Sequence, residues 1–165
     1  QLLSRLVDDL RTLALAEAGA LDLKREPTDV AALLVETGAA FRSAAEAKGV
    51  RIESSVTESP SVDVDPVRVR EIVNNLLSNA LRYSPSGGVV RLTYDGATVS
   101  VTDSGPGIPP ESLSHIFERF YKSSDSGGMG LGLSIAKYLV EAHGGTIGAE
   151  NVDAGGTRIS FTLKG

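Results

Sequence analysis

The chain has 165 residues, 41% hydrophobic and 22% charged, the composition of one compact domain. A net charge of -5 and 5% aromatic content argue against a nucleic-acid footprint, and a chain with no cysteine and two histidines has little with which to build a disulfide or a side-chain metal cage. No apolar run approaches the ~20 residues that span a bilayer, and the start lacks a charged-then-apolar leader, so the segment is expected to be neither membrane-embedded nor a leader-bearing precursor.

Residues 1–18 set Leu2, Leu3, Leu6, Leu10 and Leu13 near a heptad seam, which predicts an amphipathic helix. It opens without a capping residue, as the middle of a longer helix would. Residues 21–26, LDLKRE, are strand-like, and Pro27, Thr28 and Asp29 signal a helix running to Lys48, stopped by Gly49. VRIESSV alternates as a strand. SVDVDP adds a short strand closed by Asp65 as N-cap with Pro66 at the first helical position.

Fifteen of the 18 glycines lie from Gly87 onward, so unusual backbone conformations are concentrated in the second half. Residues 87–105 predict a hairpin turning at Asp95 and Gly96. PESLSHIFERFY reads as a short helix, residues 123–130 as a flexible loop, and 131–143 as a helix stopped by Gly144 and Gly145. Strands at 146–150 and 157–163 finish the chain. The expected fold is a two-layer α/β sandwich, a mixed sheet with one face covered by three helices, entered through a separate leading helix.

The helix from Pro66 poses the sharpest question, because VRVREIVNNLLSNALRYSP carries Asn74, Asn75 and Asn79. Asparagine is a poor helix former, at up to ~0.7 kcal/mol worse than alanine. Ile72, Val73, Leu76, Leu77, Ala80 and Leu81 form an apolar stripe, while Arg68, Glu71, Asn75, Asn79 and Arg82 fall on a second stripe at three- and four-residue steps. Asn74 lies off that line and has no explanation in the sequence. One reading of the second stripe is a solvated face; the other uses the carbonyl oxygen of asparagine as a hard ligand for Mg2+ shared with phosphates.

Two glycine loops extend the second reading. In DSGPGIP, residues 103–109, a carboxylate leaves a strand beside a glycine turn; Asp103 could accept the exocyclic amine of adenine, where guanine presents an oxygen. In GGMGLGLS, residues 127–134, Gly128, Gly130 and Gly132 open a helix whose amides could cradle phosphates. Either loop alone is also explained as a tight turn. Neither completes a dinucleotide fingerprint, and no lysine follows a glycine as the phosphate-loop motif requires. Between them, Arg119 and Lys122 are cations that could close on a terminal phosphate as part of a lid.

The ordered set NNLLSNALRY, DSGPGIP, IFERFYK, GMGLGLSIAK and GGTRISFTL resembles the asparagine, glycine and phenylalanine boxes of the ATP-binding catalytic domain of two-component sensor histidine kinases, in the GHKL superfamily with gyrase. The resemblance covers residues 29–163 and implies a Bergerat-type ATP-binding fold over residues 22–165, preceded at 1–21 by part of the second helix of the dimerisation and phosphoacceptor hairpin. It implies ATP and Mg2+ as cofactors, with Asn79 on the metal and Asn75, Arg119 and Lys122 serving catalysis. Arg82, Tyr83, Asp103, Gly105, Gly107, Ile108, Gly128, Gly130, Leu131, Gly132, Leu133 and Thr157 would then attend the nucleotide. Met129 replaces the commoner threonine between the glycines, and residues 122–128 make a short lid.

Position 75 also separates relatives, because the hydrolysing branch has a water-activating glutamate there and a carboxamide cannot take a proton. Glu71, one turn earlier, either polarises an acceptor or solvates the face. His115 and His143 lack the acidic context of the family's acceptor histidine; His143 is expected to cap its helix, and His115 to lie on the surface beside the lid. The resemblance thus implies a catalytic half that transfers the γ-phosphoryl group of ATP to a histidine supplied by the hairpin, for onward transfer to a response regulator, with no nucleic acid involved. It implies a cytoplasmic, monomeric fragment of a membrane-anchored homodimer. A nucleotide sensor that binds without transfer, and a serine-directed kinase, are the rival readings.

Overall fold

The computed structural model describes residues 2–121 and 130–164. The elements run α1 (Leu2–Glu17), β1 (Glu26–Thr28), α2 (Val30–Ala40), α3 (Arg42–Lys48), β2 (Arg51–Val56), β3 (Val62–Val64), α4 (Pro66–Tyr83), β4 (Val89–Tyr94), β5 (Thr98–Thr102), a 3-10 turn (Pro110–Ser112), α5 (Gly132–Ala142), β6 (Ile147–Asn151) and β7 (Thr157–Thr162). Five strands form a mixed sheet in the order β2-β4-β5-β7-β6, parallel only between β2 and β4. One face carries α2, α4 and α5, as the two-layer α/β reading requires. No helix of the described residues is long and apolar enough to cross a membrane.

Period-two alternation explains the sheet. Val90, Leu92, Val99, Val101, Ile159 and Phe161 point inward and are buried, while Arg91, Ser100 and Ser160 on intervening positions face outward. Against them α4 lays Ile72, Val73, Leu76, Leu77 and Ala80, all buried, and α5 contributes Ile135, Ala136, Leu139 and Val140. Each fully buried leucine or isoleucine contributes about 1.5–3 kcal/mol relative to exposure. This layer fixes α4 in place, so its polar stripe must emerge on the side away from the sheet.

The start of α4 is set by Asp65, whose Oδ1 accepts from the amides of Val67 and Arg68 at 3.1 and 3.2 Å, with Pro66 next as the sequence predicts. Its other oxygen accepts from the Lys24 amide at 2.9 Å, tying the segment after α1 to α4. The ring of His143 lies fully buried at the end of α5. Its Nδ1 donates to the Leu139 carbonyl at 2.8 Å and its Nε2 accepts from the Asp65 amide at 3.1 Å, so the ring is the neutral tautomer that joins the end of α5 to the start of α4. Burial pushes its pKa down.

Three expectations are corrected. The first strand lies at Glu26–Thr28 and not over residues 21–26: those three residues pair antiparallel with Val62–Val64 in a separate two-stranded ribbon, whereas the Lys24 amide donates to the Asp65 side chain and Arg25 reaches the Asp63 and Lys164 carbonyls through its guanidinium. The helix expected from Asp29 to Lys48 breaks at Phe41, whose amide reaches back to the Gly38 carbonyl at 3.2 Å in a tightened last turn. The helix expected over residues 110–121 is only the 3-10 turn followed by further turns. Its amides bond three residues back, His115 to Ser112 and Glu118 to His115, and Phe120 takes a left-handed φ of 63° with its amide on the Gly130 carbonyl. The loop expected over 123–130 falls, up to Met129, outside the described residues.

Candidate functional site

A cavity of about 570 Å3 opens between α4, the turn after β5 and the start of α5. That volume suits a small-molecule ligand. From α4 it takes Glu71, Asn75, Asn79 and Arg82, the stripe read from the sequence without Arg68, together with Asn74, Ser78 and Tyr83. The asparagine that fell off the line therefore also faces the cavity. Leu6 of α1 and Phe41, the residue at which the second helix breaks, line the same cavity.

The far wall is the segment after β5. Asp103 is 7% exposed, and its Oδ1 accepts from the amides of Gly105 at 2.9 Å and Thr157 at 3.0 Å. Burial raises its pKa against the pull of these two donors, yet they compensate enough charge for a carboxylate to stand in the cavity wall. A Cβ on Gly105 would meet the Tyr83 carbonyl at 2.8 Å, and one on Gly156 would lie 2.0 Å from the Asp103 carbonyl at a φ of 100°. Close backbone approach, not flexibility, is what these glycines provide. Ser84, at the end of α4, accepts the Ser104 amide at 3.1 Å, so α4 and the turn are bonded directly beneath the site.

The third wall is the N-terminus of α5. Gly130, Leu131, Gly132 and Leu133 line the cavity, and Gly132 faces Asn75: a Cβ built on it would find the Asn75 carboxamide at 3.8 Å and nothing nearer. The unpaired amides and positive end of an 11-residue helix thus look onto the polar stripe of α4. Asn79 stands half-buried one turn along from Asn75. Among the described residues there is no group of three or more His, Asp or Glu side chains able to enclose a metal. A cation here would rely on a carboxamide oxygen, waters and ligand phosphates, the donor set of Mg2+.

Of the residues expected at a ligand, Asn75, Asn79, Arg82, Tyr83, Asp103, Gly107, Ile108, Gly130, Leu131, Gly132, Leu133 and Thr157 line this one cavity, and Gly105 supports Asp103 from behind. Arg119 does not line it: its guanidinium pairs with Glu17 of α1. Lys122, Gly128 and Met129 lie outside the described residues. His115 is exposed and paired with Glu118, as a surface residue. Glu71 lines the cavity but is ion-paired with Arg68 at 2.9 Å.

The sequence did not point to α1 as part of the site, yet Arg5 and Asp9 line it. Burial, then the nearby Glu71 carboxylate, raises the pKa of Asp9. The heptad reading used only the apolar side of α1 and left its charges unassigned. Asn151 was missed as well. Its Oδ1 accepts from the Ile108 amide at 2.8 Å and its Nδ2 donates to the Ile108 carbonyl at 2.7 Å, from a strand end with no motif around it.

The model of the histidine kinase-, DNA gyrase B- and HSP90-like ATPase family matches residues 64–165. Over 98% of its length the chain is 39% identical to the signal transduction histidine-protein kinase BaeS of Escherichia coli (strain K12), of which it covers 36%. It superposes on full-length ShkA in complex with AMPPNP with a TM-score of 0.87 at 32% identity, covering 98% of this chain and 35% of that one. The nucleotide-free catalytic domain of histidine kinase ThkA aligns at 0.75 and 29% identity over 87% of this chain and 97% of its own. The chain spans between 11% and 45% of the length of the curated relatives it matches. A family match that begins at β3 and runs through the asparagine stripe, both turns of the cavity and the final strands makes this chain a member of that ATPase family, as the ATP-binding catalytic domain of a two-component sensor histidine kinase.

Proposed function

We propose that this chain binds Mg2+-ATP and presents the γ-phosphoryl group to a histidine on the dimerisation hairpin of its kinase, from which the group passes to an aspartate of a response regulator. The observation that carries this reading is one cavity lined by a buried carboxylate that accepts two backbone amides, by Asn79, and by Asn75 facing a helix N-terminus. Residues 1–21 act as part of the second hairpin helix and residues 22–165 as the catalytic domain. The chain is a monomer, and the whole kinase a homodimer anchored in the cell membrane with this domain in the cytoplasm.

Asp103 accepts the exocyclic amine of adenine. The amides at the start of α5 and the guanidinium of Arg82 take the phosphates, with Tyr83 beside the nucleotide. Asn79 offers Mg2+ its carboxamide oxygen; the ion, when bound, neutralises charge on the phosphates. Asn75 holds phosphate or water through a group that cannot take a proton, so no strong base drives water at the γ-phosphorus. Arg119, once it leaves Glu17, and Lys122 balance charge as the N–P bond to the incoming imidazole forms and the P–O bond to ADP breaks. Transfer then depends on aligning the imidazole, which only docking of the hairpin supplies.

With Mg2+-ATP the chain alone should bind nucleotide, release phosphate very slowly and acquire no acid-labile label. Addition of its own hairpin domain should label the hairpin histidine. Asn79→Ala, which improves helix propensity, should keep the fold and lose the Mg2+-dependent tightening of ATP binding. Rapid turnover by the chain alone would make it a hydrolase; acid-stable label on a serine would make it a serine kinase.

A further inference from the structure

The loop that forms the base end of the cavity is gripped at both ends by a single hairpin. At its start, Asp103 and Thr157 exchange two bonds: the Asp103 amide donates to the Thr157 carbonyl at 2.9 Å, and the Thr157 amide donates to Asp103 Oδ1 at 3.0 Å. At its other end stands Asn151, the residue paired with Thr157 across β6 and β7. The turn between these two residues is closed by the Val152 amide on the Gly156 carbonyl at 3.1 Å. The carboxamide of Asn151 takes both main-chain groups of Ile108, 43 residues away, at 2.8 and 2.7 Å. Gly107 beside it has a φ of 84°, and a Cβ there would lie 3.0 Å from Asn151 Oδ1, so the loop runs directly over the carboxamide.

We propose that Asn151 is a positioning residue for nucleotide recognition: through Ile108 it fixes the loop that carries Asp103, without touching the ligand. The assignment rests on adenine binding at Asp103. A carboxamide is the one side-chain group of this length that offers an acceptor to an N–H and a donor to the adjacent C=O in one plane. The two partners fix its orientation, since the flipped carboxamide would set oxygen against oxygen. Aspartate can satisfy only the amide, and its second oxygen would face the Ile108 carbonyl. Asn151 does not line the cavity, whereas Ile108 and Gly107 do, so its effect must pass through the main chain.

The test compares ATP and ADP affinities of the chain, of Asn151→Ala and of Asn151→Asp, with the Ile108 amide followed by NMR. Loss of two exposed hydrogen bonds should weaken both nucleotides about tenfold in the alanine variant. The ATP-to-ADP ratio and the Mg2+ dependence should not move. The Ile108 amide proton should shift upfield and exchange faster, and Asn151→Asp should not restore binding. Parental affinity in Asn151→Ala, a changed ATP-to-ADP ratio, or full rescue by aspartate would each overturn the proposal. Asp103→Asn serves as the separate control: if it binds ATP as the parent does, the base-site reading falls and this proposal with it, whereas a loss there beside an unaffected Asn151→Ala removes the clamp alone.

Discussion

The two ends of the cavity are built differently. At the base end the loop over 103–108 is bonded to α4 through Ser84, to β7 through Thr157 and to β6 through Asn151, all within the sheet and its covering layer. At the phosphate end the groups are open. Arg82 is exposed, Arg119 is engaged by Glu17, and two charged residues of the wall, Arg5 and Asp9, come from α1. On the proposed reading, base recognition would be a property of the folded domain, while the charges that meet the phosphates would depend on where α1 stands.

The largest effect that probes this difference comes from Asp103→Asn. The amide keeps Oδ1 for Gly105 and Thr157 but turns an acceptor into a donor toward adenine, so ATP affinity should fall by about 10–100-fold, the worth of a hydrogen bond to a charged group. Stability should not follow. The raised pKa means that Asp103 favours the fold below its unfolded value and loses that contribution as pH rises through the folded one. At neutral pH the neutral amide should therefore match or exceed the parent in melting temperature, read by calorimetry beside the titration.

Two glycines sharpen the contrast at the next magnitude. Gly156→Ala sets a Cβ 2.0 Å from the Asp103 carbonyl at a positive φ, so stability should drop by about 1–3 kcal/mol or more and binding with it. Gly132→Ala meets nothing nearer than 3.8 Å and improves helix propensity. It should hold or gain stability and still weaken ATP more than adenosine, because the space it fills is the one through which phosphates would approach the amides on the proposed reading. Equal loss of both ligands would place the phosphates elsewhere.

The same contrast explains what the sequence disclosed. Periodicity exposed α4, its apolar stripe and its asparagines, because a helix packed on a sheet repeats its burial every three to four residues. Asp65, Pro66 and Gly49 showed where helices begin and end because capping is a local matter. Asn74 stayed opaque, since the cavity it lines is completed by residues of other elements, Leu6 and Phe41 among them. Asn151 and Glu17 were silent for the same reason: each acts on a partner about 40 or more residues away, and no spacing rule reaches that far. Residues 110–121 misled because their apolar spacing fits a helix while Phe120 is bonded to Gly130 in a left-handed turn.

His143 supports the rigid part by tying α5 to α4. Burial holds its pKa below 6.5, so the stability it supplies is complete above that value and is lost as pH falls through the folded pKa. Protonation would set an N–H against the Asp65 amide. A melting temperature that falls by several degrees between pH 7 and pH 5 is expected, measured in a background carrying Asp103→Asn and Asp9→Asn, which removes the two raised carboxylates whose titration has the opposite sign. His143→Gln should lower the starting value and flatten the slope; an unchanged slope would assign the titration to another group.

The smallest effect, and the one that tests the phosphate end directly, is Glu17→Ala. The Arg119–Glu17 pair is partly exposed, with side chains 35% and 47% accessible, so its removal should cost at most about 1 kcal/mol. The consequence for binding has the opposite sign. Once α1 no longer holds the guanidinium, Arg119 is free to meet the terminal phosphate, and ATP affinity should rise two- to fivefold while ADP affinity stays put. Arg119→Ala in the Glu17→Ala background should abolish the gain. An ATP-to-ADP ratio identical in all three proteins would mean that Arg119 serves only to seat α1, and the phosphate end would then owe its charge balance to Arg82 and the amides of α5.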